Sequence, residues 1–209
     1  AIEFLMMLRA ATLLTLAGAG LFAQVNVPPA GETESETHQT DDPAIWLDKK
    51  SGSGFILGTI KAAAPDGAIA VYTLAGKRAM RIDGVDRPNN IDVAYGFALG
   101  KRRVDIAVAT ERNRHQLRVF EIVPGKGIRD LASLPVFEGE QGEGALPMGV
   151  ALYRRKRDGA LFAIVSRKTG PSGRYLWQYR LSADASGRVT AAKVREFGAY
   201  SGTKEIESV

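Results

Sequence analysis

Val104-Asp105-Ile106-Ala107-Val108-Ala109-Thr110-Glu111-Arg112 is a run of small and β-branched residues that closes on a cation. It has a counterpart on either side. Gly54-Phe55-Ile56-Leu57-Gly58-Thr59-Ile60-Lys61 precedes it, and Gly159-Ala160-Leu161-Phe162-Ala163-Ile164-Val165-Ser166-Arg167-Lys168 follows. The closing cations Lys61, Arg112 and Lys168 lie 51 and 56 residues apart. Before each run stands another strand-like segment: 44–47, 90–97 and 148–153. After each comes a third, at 69–74, 117–122 and 175–181, followed by a turn at Gly76-Lys77, Gly125-Lys126 or Gly187-Arg188. A fourth follows at 78–82, near Leu131 to Phe137, and at 193–200. Short runs rich in Val, Ile, Tyr and Phe, punctuated by Gly, Asp, Asn and Pro, are strands joined by tight turns. No 3.6-residue period is evident after the N-terminal apolar stretch, so no helix is expected there.

Four antiparallel strands repeating about every 50 residues are the mark of β-propeller blades. The competing architecture is a β-sandwich with accidental similarity, but the same strand order in all three units favours the propeller. The expected fold is therefore all-β, with three blades and the opening of a fourth at Lys204-Glu205-Ile206-Glu207-Ser208-Val209. In an antiparallel hairpin the end of strand two lies beside the start of strand one. Lys61, Arg112 and Lys168 thus share an edge with Asp41-Asp42, Asn89-Asn90 and Glu207, and radial blades would turn them toward one place. A mixed site of cations and carboxylates results, suited to an anion of several charges. Tyr72, Phe120 and Tyr179 recur at one strand position and are read as blade packing, not as a stacking platform for nucleic acid.

The composition is that of a globular domain, with 45% apolar and 24% charged residues among 209. A net charge of +5 favours anionic partners without naming one. The chain has no Cys and two His, which excludes disulfides, thiolate nucleophiles and multi-histidine metal cages. Residues 1–23 read as an export signal, with Met6 or Met7 as the start, Arg9 as the basic region and Ala10–Phe22 as the apolar region. That apolar run is shorter than the ~20 residues a membrane span needs. A secreted or periplasmic protein is expected. Residues 24–40 are polar and read as a linker or an extended arm.

Asp41-Asp42-Pro43-Ala44-Ile45-Trp46-Leu47 resembles the N-terminal motif of the β-propeller phytases, and Pro88-Asn89-Asn90-Ile91-Asp92-Val93-Ala94-Tyr95 resembles their second. The likeness continues through Val104–Ala109 and Lys193–Phe197. It implies the first half of a six-bladed propeller and calcium-dependent release of phosphate from myo-inositol hexakisphosphate (phytate). It further implies that Lys61, Arg112 and Lys168 hold substrate phosphates, that Asp42 and Glu207 bind active-site calcium with Asp41 a close second, and that Glu34 matches an upstream carboxylate. Glu207 stands at the catalytic centre in this pattern. Calcium takes six to eight oxygen ligands, so these acids form part of a shell. Cations between carboxylates and phosphates neutralise repulsion and acidify a bridging water, a chemistry that needs no covalent nucleophile. Without the resemblance, Asp41-Asp42-Pro43 reads equally well as a turn that caps a strand, and Asn89, Asn90 and Asp92 read as structural.

Three positions depart from the well-studied branch of that family. Met148 replaces a phosphate-contacting Tyr, Ser208 follows the Glu207 acid where Gly is found, and Ala62 follows Lys61 where a second Lys is common. These leave open a non-catalytic extracellular propeller that binds an anionic ligand or a protein partner. A propeller lactonase or dehydrogenase is the weakest reading, since no residue here specifies its chemistry. The expected partner is a small phosphate ester, with neither nucleic acid nor, after removal of the signal, membrane; the full-length protein is expected to be monomeric. A chain that stops inside an opening strand leaves an unpaired edge, so this sequence is expected to be a piece that aggregates when expressed alone. A sharp cooperative melt as a soluble monomer would contradict that expectation.

Overall fold

The computed structural model describes residues 26–209. The signal-peptide reading over 1–23 falls outside the described residues. Gly31–Val209 forms one unit built from three four-stranded antiparallel sheets. The first contains β1 (Thr40–Leu47), β2 (Gly54–Ile60), β3 (Ala68–Thr73) and β4 (Arg78–Asp83). The second contains β5 (Pro88–Leu99), β6 (Arg102–Glu111), β7 (Gln116–Val123) and β8 (Gly127–Pro135). The third contains β9 (Pro147–Arg154), β10 (Leu161–Arg167), β11 (Leu176–Ala183) and β12 (Val189–Phe197). Within each sheet the strands lie in chain order. The first strands β1, β5 and β9 neighbour one another in sequence, and the outer strands β4 and β8, and β8 and β12, do likewise. This is the blade order of a partial β-propeller.

Strand alternation places the core between the sheets. On β6, Ile106 and Val108 face the third sheet, where they meet Val150, Ala163, Val165 and Trp177. The intervening Ala107 and Ala109 face the first sheet and pack with Trp46, Leu57 and Val71. A strand buried on both faces reads as a continuous apolar run, and β6 does so. Tyr72, Phe120 and Tyr179 are all buried. Phe120 faces the first blade and Tyr179 the second. Among the described residues no blade precedes that of Tyr72. Its hydroxyl donates instead to Glu36 Oε1 at 2.9 Å.

One polar device repeats between the sheets. Thr59 Oγ1 accepts from Asp42 N–H at 3.0 Å in its own sheet and donates to Asn89 O of the next at 2.8 Å. Thr110 Oγ1 accepts from Asn90 N–H at 3.0 Å and donates to Met148 O at 2.8 Å. Ser166 Oγ accepts from Gly149 N–H at 2.8 Å and donates to Ile206 O. All three hydroxyls are fully buried. Each lies two residues before a closing cation, so it shares that cation's face of the strand. The series makes Asp42, Asn90, Gly149 and Glu207 equivalent positions.

Three sequence expectations change, and the open choice between linker and arm is narrowed. Lys204–Val209 forms no strand among the described residues; no second strand lies alongside to pair with it. It nonetheless occupies the inner-strand position, through the bonds from Ser166 Oγ to Ile206 O and from Ile206 N–H to Tyr175 Oη at 3.0 Å. The fourth strand of the second sheet starts at Gly127, not Leu131, and stops at Pro135. Phe137 leaves the sheet with φ 56° and packs 5.1 Å from the Trp177 ring, its N–H donating to Tyr179 Oη. Asp41-Asp42-Pro43 is neither turn nor cap; it lies within β1, at an irregularity between Thr40 and Pro43. Finally, Glu32–Glu36 is a docked arm rather than a free linker. Glu34 N–H donates to Gly76 O at 2.9 Å, and a Cβ on Gly76 would come within 2.1 Å of Glu32 O.

Two tests of these contacts follow from the geometry. Thr110→Val strands two buried backbone groups and should lower unfolding free energy by about 2–3 kcal/mol in a denaturant titration, whereas Thr110→Ser should stay near the parent. Glu121 is buried between Arg102, at 3.0 Å, and Arg129, at 2.7 Å. Burial alone would raise its pKa, but the two guanidinium groups hold it below the usual glutamate range. A depressed carboxylate pKa stabilises the fold above that range and loses its contribution as pH falls through the native value. Glu121→Gln should therefore flatten the acid limb of a plot of stability against pH, and should cost about 1–3 kcal/mol at neutral pH.

Candidate functional site

Lys61, Arg112 and Lys168 leave the ends of the second strands in the same way. Their backbone N–H groups donate to Gln39 O, Arg87 O and Leu146 O at 2.8, 3.1 and 2.9 Å. Three equivalent corners are thus set by three equivalent bonds. The Glu205–Glu207 segment meets the side chains of Lys61 and Lys168. Lys61 Nζ lies 2.8 Å from Asp41 Oδ2 and 3.5 Å from Glu207 Oε1. Lys168 Nζ lies 2.5 Å from Glu205 Oε1. Arg112 makes no side-chain hydrogen bond or ion pair among the described residues. Burial lowers its pKa, as does the nearby charge of Arg87, while Glu205, Glu143 and Glu207 pull the other way. The acidic segment is therefore felt by all three cations. It passes so close to β9 that a Cβ on Gly149 would meet Glu207 O at 2.1 Å.

The acids are joined by two asparagines. Asn89 Nδ2 donates to Asn90 Oδ1 at 2.7 Å and approaches Glu207 Oε1 at 3.5 Å. Asp42 Oδ2 accepts Ile91 N–H at 2.9 Å, and the Asn90 amide stands near the same carboxylate. Burial raises the Asp42 pKa; these two donors lower it and the charges of Asp41 and Asp92 add to the rise. Asn89 and Asn90 therefore cap no turn but bridge the site, which sequence reasoning missed. Glu205 was missed too, although it stands two residues before Glu207. Asp92 spans sheets, accepting Leu152 N–H at 2.7 Å.

Glu34 is not brought to this cluster. Its carboxylate accepts Arg78 N–H at 3.0 Å and sits 3.3 Å from Lys77 Nζ, at the β3–β4 turn. That turn is at the Phe55↔Thr73 end of the sheet, five residue steps from Ile60↔Ala68, or about 17 Å at the rise of a strand. The assignment of Glu34 as a metal ligand is corrected accordingly: it anchors the arm. Met148 is fully buried and offers the site only its carbonyl, already taken by Thr110.

The remaining donors suit a hard cation in kind. Asp41 and Glu207 both reach Lys61 Nζ, the charge of Asp41 is felt by Asp42, and Asn89 Oδ1 is buried without a partner. An orphaned buried oxygen next to carboxylates is an acceptor that a cation would satisfy. The set is partial. Among the described residues no three acids or histidines gather closely enough to hold a metal ion by themselves.

Comparison with known proteins fits this arrangement. The model of the phytase family matches residues 1–208. The chain is also 31% identical over 168 residues to a 3-phytase of Bacillus subtilis (strain 168), an alignment covering 79% of this chain and 42% of that protein. It thus spans less than half the length of that curated relative. By the extent of the family match, and with three blades in place, the chain belongs to the phytase family.

Proposed function

We propose that this chain forms part of an exported, calcium-dependent phosphomonoesterase that releases phosphate from myo-inositol hexakisphosphate or a related ester. One observation carries the reading: Lys61 and Lys168 pair with a single acidic segment whose charge also acts on Arg112, and among the described residues Arg112 has no hydrogen-bond or ion-pair partner for its side chain. Arg112 has two parallel N–H donors for the oxygens of one phosphate, while Lys61 and Lys168 act as point charges for others. Asp41, Asp42 and Glu207, with Asn89 Oδ1, are the groups that would hold calcium. When bound, calcium would neutralise carboxylate–phosphate repulsion and acidify a water for attack on phosphorus. The ammonium groups of Lys61 and Lys168 now face carboxylates; phosphate must compete for them, so the site favours a polyanion over a single weak charge. The export signal over residues 1–23 and a secreted or periplasmic location belong to the same proposal.

Met148 favours a second reading. A buried thioether cannot hydrogen-bond a phosphate, and a site lacking that donor could bind phytate without turning it over. Phosphate release from phytate by the natural full-length protein decides between them. Release should stop in chelator and return with calcium. Equal activity in excess chelator would overturn calcium dependence, and tight binding without release would favour the binder. Arg112→Ala should lower kcat/KM for phytate by about 30–100-fold, the equivalent of about 2–3 kcal/mol of hydrogen bonds to charge.

A further inference from the structure

We propose that Arg87 is a second guanidinium of the phosphate site, acting with Arg112 to grip one phosphate of the substrate between two blades. This rests on the reading above and adds a residue to it. Position 87 is occupied by Gln39, Leu146 and Lys204 in the other units, so nothing in the repeat demands Arg here. Its backbone joins two of the cationic corners. Arg87 N–H donates to Ala62 O at 2.8 Å, next to Lys61, and Arg87 O accepts from Arg112 N–H at 3.1 Å.

Two features set it apart. Among the described residues, Arg87 and Arg112 are the only partly buried Lys or Arg side chains with neither a hydrogen bond nor an ion pair. Every other cation at that depth is matched by a carboxylate or a carbonyl; even Arg167, fully buried, has Glu140 at 2.9 Å and Arg174 O at 2.8 Å. Two unmatched guanidinium groups on backbones that hydrogen-bond one another repel, and the Arg87 charge acts on Arg112. Withdrawn from water without a protein partner, such a pair is matched by an anion. Arg87 also adopts φ 57°, a left-handed conformation that side chains other than Gly rarely take. Retaining a long cation there, where Gly or Asn would be relaxed, points to a use for its head group. The chemistry of two planar forks fits a phosphate monoester, whose three outer oxygens accept from both.

Arg87→Gly tests this with a residue that suits the backbone. In the natural full-length protein it should raise KM for phytate about 10-fold with a much smaller change in kcat, and should reduce the dependence of KM on salt. Binding of inorganic phosphate should weaken in parallel, and the unfolding midpoint should hold or rise, because the strained φ is relieved. Arg87→Lys, which keeps charge without the fork, should fall between the two. Unchanged KM and salt dependence in Arg87→Gly, while Arg112→Ala loses activity, would overturn the role of Arg87 and leave the phosphatase reading standing. A fall in the unfolding midpoint of Arg87→Gly matching its loss of affinity would overturn it as well, by making Arg87 structural. Failure of the unaltered protein to bind phytate at all would overturn both.

Discussion

The hydroxyl between adjacent blades is the contact on which the rest depends. A propeller must join sheets face to face, and apolar packing alone leaves the rotation between sheets loosely defined. Thr59, Thr110 and Ser166 each accept from the first strand of their own blade and donate to the segment at the equivalent place in the next unit. Being buried, they have no water as an alternative partner, so the cost of misalignment is a stranded backbone group. The period of two along a strand then carries that alignment to Lys61, Arg112 and Lys168, two residues on. A one-residue slip would present Ile60, Glu111 and Arg167 instead. Glu111 and Arg167 are committed elsewhere, to Asp86 N–H and Glu140. The register that closes the fold also selects which charges meet.

That register stands in the sequence as Thr-Ile-Lys, Thr-Glu-Arg and Ser-Arg-Lys, where the closing cations are distinctive by charge and the hydroxyls, common in any strand, are not. The second strands were legible because they are buried on both faces and so read as unbroken apolar runs. The fourth strand of the second blade was misplaced for the converse reason. Val136 and Phe137 prolong an apolar run, yet Phe137 is drawn out of the sheet by the space beside Trp177 and Tyr179. Nothing local announces such a contact between blades. The opening of the fourth unit was found by its text and is held in place by Ser166 and Tyr175, but a strand also needs a neighbour to pair with.

The site was legible in its charges and illegible in its connections. Spacing located the cations and Asp42. It said nothing of which acid would meet which base, because Glu205 and Glu207 arrive from more than 90 residues beyond Arg112. Asn89 and Asn90 looked like turn residues, since Asn is common in turns; within β5 they bridge carboxylates instead. Glu34 looked like a ligand by analogy of position, yet the arm runs toward the far end of the first sheet. Arg87 gave no signal, because a left-handed Arg before a proline shows only in the folded backbone.

The pattern of pairing across this face is uneven, and the unevenness carries chemical meaning. Lys61 and Lys168 are paired with carboxylates within 2.8 Å, whereas the side chains of Arg112 and Arg87 are contacted by no hydrogen-bonding or ion-pairing group among the described residues. On one side of the face charge is satisfied internally; on the other, between the first and second blades, it is not. An ordinary structural salt-bridge network would spread its acids among all four cations, since Glu143, Glu205 and Glu207 all act on Arg112 through space without contacting it. Keeping two arginines unmatched costs stability, and folding does not require it. A polyanion would meet a graded surface: first the two free forks, which grip without displacing anything, then the lysines, which must give up a carboxylate. That order also frees carboxylate oxygens beside Asn89 as the anion settles, so binding of the anion and binding of a hard cation should reinforce one another.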